Sequence, residues 1–272
     1  MSMTIDYKGK CIVVIGGTSG INLGIAQAFA RHQARVAVAS RSREKVEAAV
    51  TSLKAMGAQK ARGFSADVRD PEAIGSGIAE IYKAWGDFDV VVSGAAGNFP
   101  ATATGMSANA FKAVVDIDLL GTFHVMQAIY PCLKKPGASV INISAPQAFI
   151  PMAAQSHVCA AKAGVDMVTR CLALEWGSEG IRINSLVPGP IDGTEGMTRL
   201  APTDEARQTV IDSVPLRRLG KPGDIANACL FLGSDLADYV SGAVIPVDGG
   251  WAQSGAGGMS NFLAQFARIQ NK

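Results

Sequence analysis

An α/β fold, with a single doubly wound parallel sheet of about seven strands and helices on both faces, is predicted by three features of the sequence. Short β-branched runs alternate with segments of helical period. The central runs are apolar with little in/out alternation, as strands are when helices cover both sides of a parallel sheet. The first run also leads through a glycine-rich turn into a helical pattern, the opening of a βαβ unit.

The strand runs are Cys11–Ile15, Val36–Ala39, a weaker Arg62–Ser65, Asp89–Val92, Val140–Ile143, Ile183–Val187 and Val244–Val247. Between them, Ile21, Ile25, Ala28 and Phe29 mark one helix face, and Val165, Val168, Leu172 and Trp176 mark another. Right-handed crossovers leave few arrangements for such alternation. A chain of 272 residues has room for two domains, but no Pro/Gly/Ser-rich linker or charge run breaks the pattern before Gly250. Residues 1–250 therefore read as one domain and 251–272 as its tail. There Phe262, Phe266 and Ile269 recur at helical spacing, a stripe for a neighbour's surface or the domain's own core, with a frayed terminus as the plain alternative.

Composition narrows the function classes. With 48% hydrophobic and 18% charged residues, and 30 glycines in no Gly-X-Y period, collagen and wholesale disorder are excluded. Lys+Arg 25 against Asp+Glu 23 gives a net charge of +2, without the dense basic face that nucleic-acid binding exploits. No apolar run reaches the roughly 18 to 20 residues that span a bilayer, and MSMTIDYKGK lacks a leader's apolar region, so no membrane partner and a cytoplasmic location are expected. The five cysteines form neither C-x-x-C nor a Cys/His cluster, so reduced core thiols and no metal are expected.

Residues 12–26 read IVVIGGTSGINLGIA. Gly16 and Gly20 let the backbone pass close to a pyrophosphate, whose charge the free amides and positive end of the next helix favour. The second strand ends in VAVASRSREK, with no acid to hold a ribose 2′-hydroxyl. Ser40 and Arg41 instead offer a hydroxyl and a guanidinium to a 2′-phosphate, so NADP(H) is the expected cofactor. Arg43 and Lys45 read as the solvated first turn of the following helix.

With these strings in view, the chain resembles the short-chain dehydrogenase/reductase family, a Rossmann-type fold. Further family markers fall in order: Asp67-Val68, AAG at Ala95–Gly97, PGP at Pro188–Pro190 and VDGG at Val247–Gly250. The resemblance implies a cofactor held by Gly16, Thr18, Ser19, Gly20 and Ile21 in the turn and by Asp67 and Val68 at the adenine. It adds Ala95, Ala96 and Gly97 beside the dinucleotide, Pro188, Gly189 and Ile191 after the sixth strand, and Lys162 at the nicotinamide ribose. It also implies a homotetramer. Asn22 departs from the pattern by standing at its third glycine, and asparagine's tolerance of left-handed backbone keeps the turn available.

The usual member of the family reduces a carbonyl with Ser, Tyr, Lys and Asn. Here Lys162 is kept, while Val158 stands in the tyrosine's place, Ala145 in the serine's and Asp118 in the asparagine's. Valine and alanine deliver no proton, which disfavours ordinary alcohol/ketone chemistry. His157 adjoins the vacant position, but the next residue on a helix points about 100° away, towards packing or the substrate rim. Ser144 adjoins the vacant serine position but alternates to the other side of its strand. Asp118 is the substitute the pattern favours: facing Lys162, its carboxylate orders a water or holds a proton, with a structural ion pair as the plain alternative.

One branch has this set. The strings AAGNF (95–99), FKAVVDIDLLGTF (111–123), LALEWG (172–177) and NSLVPGPIDGTEGM (184–197) resemble the 2,4-dienoyl-CoA reductases, most closely the peroxisomal type. The resemblance implies NADPH-dependent reduction of a conjugated acyl thioester: hydride to Cδ, charge onto the thioester oxygen, then a water-borne proton to Cα, with Asp118 and Lys162 as the catalytic pair. The candidate substrate residues are Asn98, Phe99, Ser144, Phe149, His157 and Met197. The alternatives are a reductase of another enone or carbonyl, or a catalytically silent NADP-binding protein.

Overall fold

The computed structural model describes residues 5–256. Seven strands form one parallel sheet in the order β3-β2-β1-β4-β5-β6-β7. They are β1 (Cys11–Ile15), β2 (Arg35–Ser40), β3 (Lys60–Ser65), β4 (Val90–Ser93), β5 (Ser139–Ile143), β6 (Arg182–Pro188) and β7 (Val244–Val247). All seven expected runs are strands. The helices are α1 (Gly20–Arg31), α2 (Arg43–Ala55), α3 (Pro71–Trp85), α4 (Ala108–Val114), α5 (Gly121–Ile129), α6 (Ser156–Trp176), α7 (Glu195–Leu200), α8 (Asp204–Ser213) and α9 (Pro222–Leu232).

Strand residues alternate between two apolar layers. Ile12, Val14, Val36, Val38, Val90 and Val92 face a layer closed by Ile25 and Phe29 of α1, Leu53 of α2 and Ile225 of α9. Cys11, Val13, Ile15, Val91, Val140 and Ile183 face the other, closed by Ile74 and Ile78 of α3, Met126 of α5 and Trp176 of α6. Both faces of the central strands are therefore dry, which is why these runs carry no polar alternation. β3 is the exception: as an edge strand it buries only Phe64, so its run is weak in the sequence.

Helix starts follow local chemistry. Asp70 caps α3 by accepting from the Glu72 and Ala73 N–H groups, with Pro71 in the first turn, and Thr194 and Thr203 cap α7 and α8. The expectation of five core thiols is corrected: Cys11, Cys132 and Cys229 are buried, Cys159 is half-buried, and Cys171 is exposed because α6 turns that face to solvent. Among the described residues no helix is long and apolar enough to cross a membrane, and no three His, Cys, Asp or Glu side chains gather as metal ligands. The stripe Phe262, Phe266 and Ile269 lies outside the described residues.

Successive strands run from β1 outward to β3, then resume on the other side at β4. This reversal opens a crevice beyond the carboxyl ends of β1 and β4, where doubly wound sheets bind ligands.

Candidate active site

That crevice holds a cleft of about 540 Å³, within the size range of small-molecule sites. Gly16, Thr18 and Ser19 of the glycine turn line it, as do Ser40 and Arg41 at the end of β2, Asp67 and Val68 after β3, and Ala95 and Ala96 after β4. Gly16 and Gly20 have φ of +76° and +53°, which side chains rarely adopt, and a Cβ on Gly16 would lie 2.9 Å from the Ala95 nitrogen. Ser19, at the N-cap of α1, makes no side-chain cap hydrogen bond, and the first turn has no acidic residue. Its amides are thus open to a phosphate, and the chain's own residues fit the dinucleotide that the glycine turn implies.

Two expectations around the cleft change. Lys45, read as solvated, lines it beside Arg41, because the first turn of α2 rises next to the end of β2. Arg43 does point to solvent, where it pairs with Glu47. Asn22 needs no left-handed backbone: it lies within α1, nine-tenths buried, and lines the cleft while its Nδ2 donates to the Gly94 carbonyl at 2.7 Å. Asp67 is gripped by Arg69, whose guanidinium lies 2.6 Å from its carboxylate and holds its pKa below the usual range. Ile191 is buried in the core, next to where a Cβ on Gly220 would stand, and Gly189 packs against the backbone of Asp248.

Lys162 and Asp118 meet in the interior, outside the cleft's lining but next to Ile117, which lines it. Asp118 sits on a π-helical turn, Val115–Leu120, between α4 and α5, a local widening common at functional sites. Its Oδ1 accepts from the Gly97 N–H at 2.7 Å, and its Oδ2 lies 3.3 Å from Lys162 Nζ. Lys162 also donates to the Ile143 carbonyl at the end of β5. Both side chains are sealed, with side-chain exposures of 1% and 6%. Val158, one turn before Lys162, is buried with Val114 and Ala161, and the half-buried Phe99 and Leu119 pack against them.

The substrate-side candidates divide. Asn98 and Phe99 follow the loop that carries Gly97, and Asn98 Oδ1 accepts from Gln155. Phe149 is half exposed. Met197, buried at the start of α7, lines a separate hollow with Asp192 and Arg207. Of the two readings of His157 the structure shows packing: its ring is fully buried 4.5 Å from Phe99, and neither nitrogen has a partner among the described residues. Ser144 is buried behind the site beside Asp166, away from the cleft's lining. Sequence reasoning missed Asp166. It lies one helical turn beyond Lys162, nearly fully buried, its pKa raised by burial while the Ser144 and Ser185 hydroxyls hold the rise back. The i, i+4 spacing from Lys162 was the available signal.

Comparison with known proteins agrees with this geometry. Residues 16–252 match the family described as enoyl-(acyl carrier protein) reductase. The chain is 42% identical over 244 residues to a peroxisomal 2,4-dienoyl-CoA reductase [(3E)-enoyl-CoA-producing] of Pongo abelii, covering 89% of this chain and 84% of that one. It is 39% identical to a probable 2,4-dienoyl-CoA reductase [(2E)-enoyl-CoA-producing] of Bacillus subtilis (strain 168), covering 89% and 96%. A solved short chain dehydrogenase from Bacillus anthracis superposes with a TM-score of 0.80 at 37% identity, over 89% of this chain and 96% of that one. The chain belongs to the short-chain dehydrogenase/reductase family. It is an oxidoreductase of a family that uses a nicotinamide cofactor.

Proposed function

We propose that the protein is an NADPH-dependent 2,4-dienoyl-CoA reductase. One observation carries the reading: the family's tyrosine position is packed valine, while a buried carboxylate pinned by Gly97 and Lys162 faces the same site. Such a site lacks the hydroxyl acid for carbonyl reduction yet retains a group able to order a water. Its relatives at about 40% identity carry names for that reaction.

Ser40, Arg41 and Lys45 would hold the 2′-phosphate, and the amides at the start of α1 the pyrophosphate. When bound, NADPH supplies the hydride that adds to Cδ of the dienoyl thioester. Asp118 orders the water that returns a proton to Cα, directly or through Lys162, so the remaining double bond lies between Cβ and Cγ. That is a 3-enoyl product, as named for the Pongo abelii relative. Lys162 positions the nicotinamide ribose and neutralises Asp118.

The test is NADPH oxidation with a 2,4-dienoyl-CoA, a 3-ketoacyl-CoA and no acceptor, with the product's double bond located. Turnover of the dienoyl-CoA alone, giving the 3-enoyl product, is expected. Turnover of the ketone alone would identify a carbonyl reductase, and tight NADPH binding without turnover a silent binding protein.

We also propose a homotetramer. Phe123 of α5 and Met167 and Leu174 of α6 expose apolar side chains, Leu174 at 86%, and Leu236 and Tyr239 near the β7 edge do so too. Light scattering of Leu174→Asp is expected to show smaller species than wild type.

A further inference from the structure

Asn22 adds a side-chain tie between two segments that leave the neighbouring strands β1 and β4, beyond the Gly94 N–H bond to the Ile15 carbonyl that continues their pairing. It stands on the first turn of α1, beside the phosphate turn, and its Nδ2 donates to the carbonyl of Gly94, just past β4. The fit is mutual: a Cβ on Gly94 would lie 2.4 Å from Asn22 Nδ2, so the asparagine fills room that only glycine leaves. Oδ1 of the same amide is buried with no partner among the described residues, so the bond to Gly94 is the amide's one polar anchor. Three residues further on, the Gly97 N–H donates to Asp118 Oδ1. Segment 94–97 is therefore hooked by Asn22 at one end and grips the buried carboxylate at the other. A glycine at position 22, as the family pattern has, supplies no such donor.

We propose that Asn22 is a positioning residue for the reaction, setting through Gly94 the placement of the Gly97 N–H and hence of the Asp118 carboxylate. The part that concerns turnover rests on the role given to Asp118 above. Asn22 and Gly94 line the cleft while Gly97 and Asp118 do not, so the effect on the acid is read at Gly97, apart from any change in dinucleotide affinity.

The first test needs neither substrate nor cofactor: amide hydrogen exchange at Gly97 in the cofactor-free protein. Asn22→Gly is expected to speed that exchange about tenfold, the scale of one lost hydrogen bond, while Val91 within β4 stays as in wild type. Asn22→Asp, which keeps the shape but sets an oxygen against the Gly94 carbonyl, is expected to do the same and serves if the glycine variant folds poorly. In turnover at saturating NADPH, Asn22→Gly should lower kcat about tenfold and should cost nothing further in an Asp118→Asn background. Unchanged Gly97 exchange in both variants overturns the proposal, as does a kcat loss that is additive with Asp118→Asn. If wild type fails to reduce dienoyl-CoA, the proposed function falls, while Gly97 exchange still decides whether the hook holds the segment.

Discussion

Lys162 Nζ lies 3.3 Å from Asp118 Oδ2, in a pocket that seals both side chains from solvent. Two further groups complete the arrangement: the Gly97 N–H donates to the carboxylate's other oxygen, and the ammonium donates to the Ile143 carbonyl. A buried pair of this kind rarely adds net stability, but breaking it by removing one partner is costly.

The pair's energetics give the first prediction. Lys162→Met leaves the Asp118 carboxylate without its counter-ion and should destabilise the fold by about 3–5 kcal/mol. It should also weaken NADPH binding and turnover together. Adding Asp118→Asn should restore most of the stability and none of the activity. Urea midpoints and NADPH titrations of the single and double variants check this.

The second concerns the cofactor. Arg41 and Lys45 line the cleft beside Ser40. A charge-assisted contact to the 2′-phosphate contributes roughly 1.5–3 kcal/mol, so wild type should bind NADPH at least tenfold more tightly than NADH. Arg41→Ala should lose much of that preference without changing NADH affinity. Equal affinities in wild type would contradict the assignment.

Much of this site was legible before the structure, for identifiable reasons. The central strands were readable because helices dry both their faces, and the turn from Gly16 to Gly20 because only glycine tolerates its backbone and close approaches. Asp118 was legible by its place in DIDLLGTF. The remainder depended on where helices turn. His157 neighbours the vacant tyrosine position in sequence yet points into a clamp of aromatic rings. Lys45 reads as solvated until the end of β2 is seen beside it. Asp166 reads as one more polar helix residue, although its spacing from Lys162 puts both on the buried face of α6.

Asp166 gives the third prediction. Burial raises its pKa, with Ser144 and Ser185 opposing the rise. The folded protein thus keeps this proton over a range where the unfolded chain has already released it. Stability is then lost as pH rises from the unfolded value near ~3.9 to the raised folded value, and levels off above it. Asp166→Asn removes that loss. The variant's Tm relative to wild type should climb as pH rises above the unfolded value and level off once the raised folded value is passed, and a difference independent of pH would contradict the assignment.

The central claim is that the Asp118 carboxylate takes the place of the absent tyrosine. Its most direct measurement is the kcat of Asp118→Asn for NADPH-dependent reduction of a 2,4-dienoyl-CoA, alongside the Kd for NADPH. General acid/base assistance typically contributes about 10² to 10⁴ in rate, so a loss of that order with NADPH affinity nearly unchanged is the expected result. A variant that folds, binds NADPH and turns over at the wild-type rate would show that Asp118 is structural and that the proton comes from elsewhere.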